Sequence, residues 1–241
     1  MTKDDKLKIY NLLKTASDSL FGYSSKEFAG DIPEFSDDSE NEDRNDFQPA
    51  SDSTLFHISK KISECKRCQL SATRRNVVPG MGVENPLVLV IGEAPGEEED
   101  KQGLPFVGPA GQLLDKMLAA ISLSRQKNCY IANIVKCRPP ANRNPLSEEC
   151  DACRPFLDAQ ITALKPKAIL CAGSVAVKNL LHTEDGVMKL HGQVLEYKRI
   201  PVVTTWHPSA LLREPANKRP AWEDLKVFRN VLLGIDAGYE K

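Results

Sequence analysis

Four short apolar runs, at residues 87–91, 130–135, 168–172 and 202–206, recur along this chain, bounded by Gly, Pro or Asn. Runs of that length without polar alternation read as strands buried on both faces, the signature of a parallel sheet. Parallel neighbours cannot be joined by tight turns, so the intervening segments must cross over, and helical patterns at 110–121, 147–164 and 174–181 occupy those places. The second opens with Ser147, Glu148 and Glu149 and is stopped by Pro166. Residues 186–197 read as a hairpin before the last strand, and 221–233 as a closing helix. The result is a βαβ arrangement, whose ligands are expected at the carboxyl ends of the strands. With 241 residues, it fills one α/β domain or at most two small ones.

Those strand ends carry the polar residues. The first run leads into "GEAPGEEEDKQGLPFVGPAG", the second into "ANIVKCRPPANRNP" and the last into "TTWHPSALLR", which brings Glu93, Asn133 and His207 to one edge of the sheet. The glycine-rich loop resembles a phosphate cradle but holds Glu93, Glu97, Glu98, Glu99 and Asp100. It lacks the Gly-Lys-Ser/Thr ending of a Walker loop, and the glycine spacing of a dinucleotide fingerprint. Acids in such number would repel a phosphate. A neutral, planar, hydrogen-bonding ligand fits better, with Phe106 as a stacking face and Asn133 offering a donor and an acceptor to a base edge.

Charge and cysteine usage narrow the setting. The net charge of −1 hides an asymmetry: the first 50 residues hold 6 Lys+Arg against 12 Asp+Glu, leaving a body of net +5. Residues 1–53 read as an N-terminal extension, with a short amphipathic helix at 4–21 followed by an acidic, Ser-rich linker. The extension is either dispensable or a tethered helix for a protein partner. No apolar run reaches membrane-spanning length and no secretory pattern opens the chain, so a cytoplasmic protein without membrane contact is expected. Seven cysteines in that compartment argue against disulfides. Cys65 and Cys68 form one C-x2-C, and Cys150 and Cys153 a second, which suits zinc. Cys65, Cys68, Cys137 and Cys153 together suit an iron–sulfur cluster, and Cys129 and Cys171 fall in strand-like sequence as core residues.

"GEAPGEEED", "GLPFVGPAG", "NIVKCRPPANR", "ACRP" and "HPSALLR", in that order, resemble the motifs of family 4 uracil-DNA glycosylases, the iron–sulfur members of that superfamily. The likeness covers about residues 65–229. It implies a three-layer α/β/α sandwich around a central four-stranded parallel sheet, spanning 54–241, and a monomer acting on uracil-containing DNA, single- or double-stranded. It implies a [4Fe-4S] cluster on Cys65, Cys68, Cys137 and Cys153, with Cys150 outside the ligand set. It places Gly92, Ala94, Phe106, Asn133 and His207 around a flipped uracil, with Phe106 stacking, Asn133 reading the edge and His207 stabilising the departing anion. Where better-known uracil glycosylases carry a catalytic acid, this chain has Ala94, so water activation is expected from Glu93 or Glu99. Ser209, Leu211, Leu212 and Arg213 would meet DNA, the leucines as a wedge. Lys136, Arg138, Arg143 and Arg154 offer further phosphate contacts.

The expected activity is monofunctional hydrolysis of the uracil N-glycosidic bond, leaving an abasic site for base excision repair. The alternative is a non-catalytic iron–sulfur DNA-binding module of the same fold, which intact Glu93, Asn133 and His207 argue against. A relative that traps uracil sites covalently would need a histidine in an inserted basic loop. Here "QLLDKMLAA" follows Gly111 directly, and "RPPANRNP" contains none.

Overall fold

The structure, a computed structural model, describes residues 53–240. The expectations for the N-terminal extension lie outside the described residues. The strands are β1 (Met81–Gly82), β2 (Val88–Gly92), β3 (Cys129–Asn133), β4 (Ala168–Ala172), β5 (Val194–Tyr197) and β6 (Ile200–Thr205). They form one sheet in the order β1-β3-β2-β4-β6-β5. The four expected strands are its parallel centre, and every residue of β2, β3 and β4 is buried. Two short antiparallel strands, β1 and β5, extend it to six at the edges.

Alternation along each inner strand feeds two separate cores. Leu89, Ile91, Tyr130, Ala132, Ile169 and Cys171 face one layer, made by helices α1 (Thr54–Ser63), α5 (Ser147–Leu164) and α6 (Ser174–Leu181). Val88, Val90, Cys129, Ile131, Leu170 and Val203 face the other, made by α4 (Pro109–Ala119) and α9 (Lys218–Ile235). Burial at Phe156, Leu157, Gln160, Ile161 and Leu164 in α5, and at Ala221, Leu225, Phe228 and Leu232 in α9, repeats every three or four residues, as one helix face must. The three-layer sandwich thus follows from period two in the strands and period 3.6 in the helices. The remaining short helices are α2 (Leu70–Thr73), α3 (Glu97–Gln102), α7 (Val187–Leu190) and α8 (Pro208–Arg213). Among the described residues no helix is long and apolar enough to cross a membrane.

Two expectations are corrected. The hairpin lies one element later than residues 186–197: Val187–Leu190 is a helical turn, and β5 pairs with β6 through Lys198 and Arg199, both left-handed with φ of 49° and 67°. A two-residue hairpin turn with both central residues left-handed matches the twist of its strands, although neither residue is a glycine or asparagine. The acidic stretch after β2 is helix α3 rather than open loop. Glu97, Glu98, Glu99 and Asp100 fill its first turn, where carboxylates oppose the positive helix end.

Candidate active site

The carboxyl ends of β2, β3 and β6 open onto a cavity of about 320 Å³, lined by Glu93, Ala94, Glu99, Phe106, Asn133 and His207, with Arg143, Ser209 and Arg213 also on its wall. Its position follows from topology. After β3 the chain crosses back over β2 to place β4 on the other side, and the loops leaving neighbouring strands diverge there.

Asn133 ends β3 with only 1 % of its surface exposed, and its Oδ1 has no hydrogen-bond partner. A buried amide oxygen without a donor is costly in a finished core, so it marks a place where a ligand completes the bonding. Gly92 makes room for it: a Cβ there would stand 2.4 Å from Asn133 Oδ1 and 2.5 Å from Phe106 Cζ. Phe106 lies across the same space, its ring centroid 5.6 Å from that of His207.

The backbone at Phe106 is held in the left-handed region, with φ of 53°, a conformation costing about 1–3 kcal/mol unless its surroundings impose it. Arg125, 6 % exposed, imposes it by donating to the carbonyls of Pro105 at 2.8 Å and Phe106 at 3.0 Å while paired to Asp115 at 2.7 Å. Helix α4 presses on the same carbonyl, and a Cβ on Gly111 would fall 1.9 Å from it. Arg125 and Asp115 escape a reading of the sequence, because an arginine in "SRQKN" shows nothing of a partner nineteen residues upstream.

Glu99, on the cavity wall, also belongs to the same brace. Its Oε1 accepts from Val107 N at 2.9 Å and Gly108 N at 3.0 Å, and its Oε2 from Gly96 N at 3.0 Å. Three backbone N–H groups thus engage both oxygens of the carboxylate. Its function is to clamp the Phe106 loop to the start of α3. Glu99→Ala is expected to strand those N–H groups, lower stability by about 2 kcal/mol and speed hydrogen exchange at Val107 and Gly108. Unchanged exchange there would remove the brace from the account. Asp100, 2 % exposed, acts similarly by accepting from Arg75 N at 2.9 Å, whereas Glu97 and Glu98 pair with Lys101 at the surface.

Glu93 and His207 are two further ionisable groups on the cavity wall. Burial pushes the Glu93 carboxyl above its ordinary range, partly offset by Arg213. Burial, aided by the Arg213 charge and opposed by Glu99, pushes His207 down to about 4, so its ring is neutral at physiological pH. The tautomer follows from local bonding: Ser209 N donates to Nδ1 at 3.2 Å, and Ser209 Oγ stands 2.8 Å from the same nitrogen. The proton of the neutral ring therefore resides on Nε2.

The profile of the Uracil DNA glycosylase superfamily matches residues 79–226. The type-4 uracil-DNA glycosylase of Archaeoglobus fulgidus is 39 % identical over 181 residues, covering 72 % of this chain and 90 % of that protein. That of Thermotoga maritima is 40 % identical over 181 residues, with coverages of 73 % and 93 %. The chain belongs to the type-4 uracil-DNA glycosylases.

In this type-4 glycosylase the expected wedge is half corrected. Leu211 is 2 % exposed and packs into the core beneath α8, so it is not free to enter DNA, while Leu212, one position round the helix, is 47 % exposed beside Arg213. The phosphate contacts thin out as well. Arg154 is spent on Asp158, Tyr197 and the carbonyls ending α6, Lys136 is 1 % exposed, and Arg143 grips Glu149 through two bonds of 2.9 and 2.7 Å. Arg138 bonds Asn142 and lies 3.6 Å from Glu97.

A second recess of this glycosylase is lined by Cys65, Cys68, Cys137 and Cys153, with Arg67, Arg74 and Lys136 around them. Among the described residues no three His, Cys, Asp or Glu side chains converge on a single metal ion. Ligands of one ion, with bonds of about 2.3 Å, must lie within about 4 Å of each other, whereas those of a cubane cluster sit on four irons and stand further apart. Four thiols lining one recess are the donor set that an iron–sulfur cluster takes. Cations stand beside them: Arg74 Nη1 donates to Cys137 Sγ at 3.1 Å, and burial pushes the Cys153 thiol up to about 11 against the opposing charge of Lys136. Cys150 does not line the recess; burial first, then the nearby Asp151, pushes its thiol up to about 12. Cys129 and Cys171 are fully buried in β3 and β4.

Proposed function

We propose that this type-4 glycosylase removes uracil from DNA as a monofunctional enzyme, flipping the nucleotide into the cavity at the strand ends and hydrolysing its N-glycosidic bond. The observation that carries the reading is the unpartnered, buried amide oxygen of Asn133 beside Phe106 and Gly92. Uracil presents N3–H as a donor next to O4 as an acceptor, so one amide satisfies both: Oδ1 accepts from N3–H and Nδ2 donates to O4. Cytosine reverses the pattern, and the mismatch leaves buried groups unpaired on both sides, a large penalty for a small chemical difference. Phe106 stacks on the base, and turning the nucleotide out costs a few kcal/mol of lost stacking.

As the glycosidic bond stretches, the sugar becomes cationic and uracil anionic. His207 donates from Nε2 to the oxygen where that negative charge collects. Glu93, whose carboxyl burial carries above its ordinary range, faces the cationic sugar and orients or activates water. Arg213 meets a phosphate, and Leu212 fills the space that the base vacates. Removing the wedge is expected to hurt only where there is a stack to fill: Leu212→Ala lowers excision from duplex DNA several-fold and leaves single strands nearly unaffected. Leu211→Ala instead costs about 2–5 kcal/mol of stability. Equal losses on both substrates for Leu212→Ala would contradict its role.

A [4Fe-4S] cluster on Cys65, Cys68, Cys137 and Cys153 completes the proposal. When bound, it supplies a covalent tie between the segment after α1, the exit from β3 and α5. The test of the activity is excision of a single uracil from a labelled oligonucleotide, followed by alkali. Breaks at uracil that need alkali, and none at cytosine or thymine, support a monofunctional glycosylase. No breaks from protein with a full complement of iron would favour a non-catalytic DNA-binding module.

A further inference from the structure

Among the described residues, Lys136 is a long cationic side chain with 1 % of its surface exposed and no carboxylate partner, whereas the other buried cation, Arg125, has one. Its single hydrogen bond runs from Nζ to the main-chain carbonyl of Asn133, at 2.7 Å. It also lines the recess of the four cysteines, directly preceding Cys137 in the chain. Burying an ammonium beside one carbonyl is strongly unfavourable without a counter-charge. Four thiolates holding an iron–sulfur core carry net negative charge, which meets that need.

The segment 133–137 therefore has the base-reading amide at one end and a cluster cysteine at the other, with Lys136 folded back between them. We propose that Lys136 is a positioning residue that couples the cysteine centre to uracil recognition: its ammonium takes its counter-charge from the cysteine side and spends its hydrogen bond on the Asn133 carbonyl, fixing the turn that aims the Asn133 amide. The inference rests on the proposed uracil excision and cluster. Ile134 N and Val135 N, which donate to the Gly92 and Glu93 carbonyls at 3.0 and 3.2 Å, pin the other edge of this segment to β2 and the loop after it. Lys136 is thus the side-chain restraint on the remaining carbonyl direction. A neutral residue of the same size leaves the cysteines in place but frees that carbonyl and removes a cation from beside the sulfurs.

The test uses the full, iron-loaded chain and four variants: Lys136→Met, Lys136→Gln, Asn133→Ala, and Lys136→Met combined with Asn133→Ala. Binding to a duplex containing a 2′-fluorinated deoxyuridine, which resists cleavage, reports base reading, and a spectroelectrochemical titration reports the cluster potential. Lys136→Met is expected to weaken binding tenfold or more and to move the potential to more negative values. In the Asn133→Ala background the same change should cost no further affinity while still moving the potential, because the amide that Lys136 aims is already gone. Lys136→Gln, which keeps a donor without the charge, should move the potential as Met does and recover part of the affinity. An unmoved potential, or affinity losses that multiply with those of Asn133→Ala, would overturn the coupling. So would loss of iron and fold in both lysine variants, which would reduce Lys136 to a folding residue. Wild-type protein that binds no iron or leaves uracil in place would instead refute the proposed function, before any variant is made.

Discussion

His207→Ala is expected to slow uracil excision by about 10²–10³-fold while leaving the melting temperature and the visible absorbance of the iron-loaded protein unchanged. The size of the loss comes from when the bond is made. A donor that meets a weakly basic carbonyl in bound uracil meets a developing anion in the transition state, so removing it lowers kcat far more than it weakens ground-state binding. The geometry prepares the ring for that one task. Ser209 holds Nδ1 as an acceptor, which leaves Nε2 as the donor, and a pKa near 4 keeps the ring neutral where the enzyme works. The sign of that shift has a consequence for pH. A histidine that is neutral above about 4 contributes no limb to the rate profile between pH 6 and 8, so an acid limb found above the ordinary carboxylate range belongs to Glu93, raised by burial. Rates of single-turnover excision against pH, for wild type and Glu93→Gln, separate the two: the limb should vanish in Glu93→Gln and persist at reduced amplitude in His207→Ala. A limb near 6.5 that disappears with His207 would mean an imidazolium donor and would undo the tautomer argument.

The elements legible in the sequence are those whose signal is local. β2, β3 and β4 are continuous apolar runs because both faces are covered, and α5 and α6 start and stop where the sequence pattern places them. Glu93, Asn133 and His207 were legible as strand-end residues because a parallel sheet delivers its carboxyl ends to one edge. What could not be read depends on contacts distant in sequence. Helix α3 has no apolar stripe, and its anchors are the bonds of Glu99 to the Phe106 loop and of Asp100 to Arg75. The hairpin was misplaced because Gly186 and Gly192 attract a turn assignment, while the turn that closes it uses Lys198 and Arg199. Leu211 and Leu212 are chemically identical neighbours, and only the phase of a six-residue helix decides that the first is core and the second surface. Carboxylates show the same limit: Glu93 and Glu99 differ little in the sequence, yet one faces the cavity with a raised pKa and the other is consumed by three backbone donors.

The second large effect is expected at the cysteines, where two residues thirteen positions apart should behave oppositely. Cys137→Ala removes one of four thiols around the recess, and the variant is expected to lose most of its iron, from about four per chain, together with its visible absorbance and several degrees of melting temperature. The loss follows from what the ligands join. Cys65 and Cys68 lie just after α1, Cys137 just after β3 and Cys153 within α5, and no strand pairing bridges the first of these to the sheet. Packing by Leu55, Ile58 and Ile62 in α1 and by Leu70, and bonds such as those from Arg74 to the carbonyls of Ser63 and Cys65, hold residues 63–74, and the proposed cluster would add a covalent tie. Arg74 would also lose the sulfur to which its Nη1 donates, leaving a cation beside a vacated ligand position. Cys150→Ala removes a thiol of similar burial from the same helix as Cys153, so any general cost of shrinking a core cysteine is common to both variants. It should keep its iron and its colour, because Cys150 is not among the residues lining the recess and burial and nearby acids push its thiol up to about 12. Iron per chain, absorbance and melting temperature measured side by side decide the matter. A colourless Cys150→Ala beside a coloured Cys137→Ala would exchange their assignments, and iron retained in both would leave the recess as packing alone.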